Sequence, residues 1–97
     1  MFKVSLVETR NRRQLVLEGK LIAPWADELK TACDKARTDL DGRELVVEVK
    51  NLLAISQAGE NVLVELMQQG VKFRCRGVFA KHVIRNLARR SRTKTER

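Results

Sequence analysis

Aromatic residues are scarce in this chain. Phe2, Trp25, Phe73 and Phe79 are the whole set, and there is no tyrosine. A core must then be aliphatic, and with Phe79 expected to pack inward, no row of rings is left on which single-stranded nucleic acid would stack. Histidine occurs once, at His82, and cysteine twice, at Cys33 and Cys75. Two distant cysteines without CxxC spacing and a lone histidine do not make a zinc site, so no metal and no cofactor are expected. Both cysteines fall on apolar faces and read as buried free thiols in a reducing compartment. No apolar run approaches the roughly 20 residues that span a bilayer. The opening MFKVSLVE alternates like a strand and has no signal-peptide core, which makes a cytoplasmic location the expectation.

Catalytic signatures are equally thin. There is no GxSxG, HExxH, P-loop or GxGxxG motif. His82 lies beside Lys81 with no carboxylate nearby in sequence to orient it, and Glu60 and Glu65 are five positions apart, off any shared helical face. The expectation is a protein that is not an enzyme.

What is present is a compact, charged, aliphatic chain. Ninety-seven residues, 43% hydrophobic and 33% charged, suit one soluble domain that needs no staples. The net charge of +8 is uneven: residues 1–78 hold 13 Lys/Arg against 11 Asp/Glu, whereas residues 79–97 hold seven against one. Basicity therefore belongs to the last helix and tail.

Phe2 to Val7 alternates with period two, Arg10-Asn11-Arg12 suits a turn, and Leu15-Val16-Leu17 completes a hairpin that Gly19 is expected to end. Pro24 fits a first helical turn, followed by an apolar stripe of Trp25, Leu29, Ala32, Cys33, Ala36 and Leu40. Leu45, Val47 and Val49 face one side of a third strand, with Glu44, Val46, Glu48 and Lys50 on the other. A helix opening at Ser56 groups Ala58, Val62, Leu63, Leu66 and Met67 and stops at Gly70. Val71, Phe73 and Cys75 mark a fourth strand, with Lys72, Arg74 and Arg76 outward. Ala80, Val83, Ile84, Leu87 and Ala88 mark a last helix, and residues 91–97 read as a frayed basic tail.

The order β-β-α-β-α-β-α implies right-handed crossovers and parallel pairing of strands two to four. Alternation within each strand leaves one sheet face uncovered by helices. The predicted fold is thus α/β, a four-stranded mixed sheet with helices on one face. Val7, Val16 and Val46 would form an exposed patch on the open face suited to a weak homodimer; otherwise the chain is a monomer.

Three segments carry a family resemblance. They are Leu17-Glu18-Gly19-Lys20-Leu21 with Pro24-Trp25-Ala26-Asp27-Glu28-Leu29, Leu45–Val49 leading to Ile55-Ser56-Gln57-Ala58-Gly59, and Gly70-Val71-Lys72-Phe73. In this order and spacing, residues 2–90 resemble the STAS domain of anti-sigma factor antagonists and sulfate-transporter tails. The resemblance implies a protein–protein interaction module in transcription regulation or signalling of bacterial type, with an anti-sigma or kinase-type partner. In regulatory members the loop before the second helix reads Asp-Ser-Ser/Thr-Gly, and the serine after the aspartate is phosphorylated. Aligned on Gly59, this chain has Ser56 at the aspartate position and Gln57 at the acceptor position, so the usual phospho-acceptor is missing. Ser56 sits one position early and reads more simply as a helix N-cap than as a displaced acceptor.

The expected docking surface comprises Ser56, Gln57, Gly59, Glu60, Asn61 and Gln68, with binding constitutive. A competing reading comes from Lys81, Arg85, Arg89 and Arg92, which follow helical spacing and make one basic stripe. With Arg90, Lys94 and Arg97 such a stripe would bind nucleic acid weakly and without sequence preference.

Overall fold

The computed structural model describes residues 2–95, with side chains described through Ser91. A hairpin of β1 (Phe2–Glu8) and β2 (Arg12–Leu21) is followed by α1 (Trp25–Arg37), β3 (Glu44–Ile55), α2 (Gln57–Gln68), β4 (Lys72–Cys75) and α3 (Val78–Thr95). The sheet order is β1-β2-β3-β4; β1 runs antiparallel to β2, and β2, β3 and β4 are parallel. This is the mixed α/β sheet that the alternation of elements predicts, with its helices on one face.

Hydrophobic burial on that face supplies the stability. Leu17 and Leu21 from β2, Leu29 and Cys33 from α1, Val47 and Val49 from β3, and Leu63 and Leu66 from α2 are all fully buried. Each large aliphatic side chain buried in this way contributes about 1.5–3 kcal/mol. Ala80, Val83 and Leu87 bring α3 into the same core. The α2 stripe differs slightly from its sequence reading: Val64 is buried, while Ala58, Val62 and Met67 are only half-buried. No helix among the described residues is long and apolar enough to cross a membrane.

Four expectations need correction. Gly19 does not end the second strand. It sits at φ +102 inside β2, where the pairing with β3 slips from Leu17↔Val49 to Gly19↔Leu52 and then to Lys20↔Ala54. The third strand likewise runs on to Ile55, bending at Asn51 with φ +50. Such bulges re-aim the residues that follow them. The last helix does not fray at Ser91, which is itself buried; α3 continues to Thr95.

The fourth correction concerns the open face. Val46 is only 3% exposed, so it contributes nothing to an apolar patch with Val7 and Val16. Long polar side chains lie over the middle of the sheet instead. Glu48, read as outward and solvated, is 8% exposed; it accepts from Gln14 Nε2 and pairs with Arg76 Nε at 2.9 Å. Lys72 Nζ reaches Glu44 at 2.7 Å beside it, and this bond and charge hold the Glu44 carboxyl below its ordinary pKa. A carboxylate as far removed from water as that of Glu48 is stable only when paired, and Gln14 and Arg76 provide that.

Candidate functional site

The junction of β3 and α2 is assembled by backbone contact. Ser56 N donates to Leu21 O at 3.0 Å, joining the ends of β2 and β3. Ser56 Oγ accepts from Gly59 N at 3.2 Å, satisfying one of the donors that a helix start leaves unpaired. The serine thus caps α2. Gly59 faces the end of β2 so closely that an added Cβ would lie 2.4 Å from Leu21 O, 2.9 Å from Ile55 Cγ1 and 3.0 Å from Leu21 Cγ. Only glycine lets α2 approach the sheet this way.

The expected docking residues divide between two directions. Gln57, Asn61 and Gln68 recur at helical spacing, are all exposed, and form one polar stripe on α2. Gln57 Nε2 donates to Asn61 Oδ1 at 3.1 Å within this stripe. Glu60 is not part of it, because its carboxylate turns toward α3 and pairs with Arg90 Nη1 at 2.9 Å. Ser56 is half-buried and Gly59 buried beneath the stripe, so these two shape the loop and present little surface.

Sequence reading overlooked Leu53, which is 67% exposed near the end of β3. Strict alternation from Val49 would turn Leu53 inward; the bulge at Asn51 sends Leu52 into the core and Leu53 out to solvent. An Asn within a strand-like run, able to take positive φ, was the only available signal.

At the start of α3, Val78 is 86% exposed and Phe79, expected to pack, is 46% exposed. Lys81, Arg85 and Arg89 are exposed along the same helix. The side chain of Arg92 lies outside the described residues, as do those of Lys94 and Arg97. His82 is exposed, and its Nε2 lies 3.2 Å from Asn86 Nδ2. Among the described residues no three His, Cys, Asp or Glu side chains come together as a metal site. Burial pushes the Cys33 thiol up to about 11 and raises Cys75 as well, so neither favours the thiolate.

The opposite end of the sheet holds a guanidinium network. Arg13 Nη1 donates to Ala36 O at 2.9 Å and Thr38 O at 2.8 Å, closing the C-terminus of α1. Arg43 Nε donates to Leu40 O at 3.0 Å. Glu8 Oε2 receives Arg13 Nη2 and Arg43 Nη1, each at 2.7 Å. The hydrogen bond from Arg13, above all, holds the Glu8 carboxyl below its ordinary pKa. This network is an anchor for the loop between α1 and β3, and its groups are committed to one another.

A scan against protein-family models found no match, and a search of curated proteins found none either. Among solved structures, one described as "Crystal Structure Analysis of Mglu" superposes with a TM-score of 0.56 over 76% of this chain, at 19% sequence identity. The chain spans 19% of the length of that one. At this identity the likeness shows a shared fold.

Proposed function

We propose that this protein is a non-enzymatic protein–protein interaction module, resembling an anti-sigma factor antagonist of the STAS type, that binds its partner without a serine phospho-switch. The supporting observation is the surface around the α2 start. Exposed Leu53 on β3 and the polar stripe of Gln57, Asn61 and Gln68 on α2 belong to two elements that meet where Gly59 packs against Leu21 and Ile55, and the acceptor position is a glutamine. An exposed apolar anchor together with adaptable polar groups is what a docking surface needs. The Ser56 hydroxyl is already engaged as a cap. The partner is a protein of the anti-sigma or kinase type.

Two measurements test this reading. Incubation with an anti-sigma-type kinase and ATP should leave the chain unmodified; stoichiometric phosphate on Ser56 overturns constitutive binding. Calorimetric titration of a partner captured by wild-type protein should lose affinity with Leu53→Asp or Asn61→Arg. Unchanged affinity in both variants overturns the surface. Glu60→Lys is less suitable here, since it also breaks the ion pair with Arg90.

A second reading, weak nonspecific nucleic-acid binding, has its own support in the length of α3. A helix that persists to Thr95 keeps Lys81, Arg85 and Arg89 in one exposed row. Neutralising cations of that row should reduce both affinity for duplex DNA and its salt dependence. Affinity that does not fall with salt removes this reading.

A further inference from the structure

The two edges of the sheet are treated differently. β4 is four residues long and presents Lys72 and Arg74, with Arg76 just beyond, which suits an edge guarded against pairing. β1 is seven residues long, holds one lysine, and leaves Leu6 55% and Val7 47% exposed on its two faces. Its outer backbone groups have no strand beside them among the described residues. Next to it, on the helix face, a groove of about 460 Å³ is lined by Val4, Leu6, Leu15, Ala32 and Ala36, with charged groups at one end. A long, apolar, unguarded edge with a groove beside it is a strand-pairing site.

We propose that β1 pairs antiparallel with β1 of a second copy, about a twofold axis at Ser5, giving a continuous eight-stranded sheet. This register matches all seven residues of the strand. On the helix face it sets Val4 of each copy against Leu6 of the other, so the exposed leucines enter the grooves. On the open face Val7 meets the stem of Lys3. A register centred on Val4 or Leu6 pairs fewer residues.

The charges on α1 favour a second copy as the occupant. The helix runs alongside β1: Phe2 stacks on Trp25 with ring centroids 6.5 Å apart, and Glu8 binds Arg13, which in turn holds Ala36 O. Measured from that stack, Ser5 lies about 10 Å along the strand and Thr31 about 9 Å along the helix, so one axis serves both. Exposed Asp27 in the first turn and Lys35 in the last are then equidistant from the axis, with Glu28 one residue nearer to it. The twofold brings the acidic end of each α1 opposite Lys35 of the other copy. The same flank of α1 is hollowed, with Asp27, Glu28, Thr31, Ala32 and Lys35 around a concavity of about 390 Å³.

Cysteine cross-linking and sedimentation test the register and the interface. With Cys75→Ser as background, Ser5→Cys should oxidise rapidly to a disulfide-linked dimer, because residues across a twofold in paired strands fall within disulfide range. Lys3→Cys, two residues from the axis, should not. Wild-type protein should sediment as a reversible monomer–dimer system, and Leu6→Lys as a monomer with an unchanged circular dichroism spectrum. Lys35→Glu should weaken dimerisation about tenfold, and adding Asp27→Lys with Glu28→Lys should restore it. A wild type that stays monomeric at all concentrations overturns the proposal. So does dimerisation indifferent to Leu6→Lys, or equal cross-linking at residues 3 and 5.

Discussion

The two ends of the sheet are held by different physics. At the end where β2 and β3 finish, the joint is short-range contact: Gly59 against Leu21, Ser56 bonded to the Leu21 carbonyl, and a serine cap. At the other end, where β2 and β3 begin, two arginines span the loop after α1 and share one carboxylate. The first joint tolerates no added atoms but is indifferent to pH and salt. The second accommodates changes of shape but depends on charge. The proposed docking surface would sit on the first kind of joint, which fixes the α2 start while Gln57 and Asn61 stay exposed.

Four substitutions would break or sharpen that contrast. Gly59→Ala should have the largest effect, about 3 kcal/mol of lost stability in urea denaturation, because the backbone oxygen of Leu21 must move to admit the methyl. Arg13→Met should cost about 2 kcal/mol: it keeps the stem but leaves the Ala36 and Thr38 carbonyls without their charged donor. Salt should narrow the gap between this variant and wild type, and leave the Gly59→Ala deficit unchanged. Ser56→Ala should cost about 1 kcal/mol, the usual value of an N-cap.

Glu8→Gln should have the smallest effect at neutral pH and be read best by titration. The folded-state pKa of Glu8 lies below its ordinary value. Its contribution is therefore present above the unfolded carboxylate pKa and lost as pH falls through the lower folded value. Denaturation curves from neutral to acid pH should fall less steeply in Glu8→Gln, since the neutral amide has no proton to gain. An equal slope in variant and wild type would show that the shared carboxylate is not what makes this end acid-sensitive.

Much of the fold was legible because periodicity reports which faces meet water. The stripe from Leu29 to Ala36, the alternation of Leu45, Val47 and Val49, and the Ser56 start signal each reflect a local rule, and the elements they mark are present. The failures fall where a contact far along the chain overrides the local rule. Gly19 reads as a strand end, yet Gly19 and Asn51 are irregularities in adjacent strands, visible only once β2 lies against β3. Leu53 was missed for that reason. Glu48 and Val46 read as solvent-facing, but side chains from Gln14 and Arg76 lie over that region of the sheet.

By itself, then, the sequence determined the element order, the aliphatic core, and the one-sided packing of helices. These depend on residue type and spacing, which are local and periodic. Only the tertiary structure decided that Glu60 pairs with Arg90 of α3, that Leu53 is exposed, that Gly59 is required by the carbonyl of Leu21, and that β1 is the unguarded edge. Each of those depends on which distant residue occupies the neighbouring space, and the spacing of one segment carries no record of that.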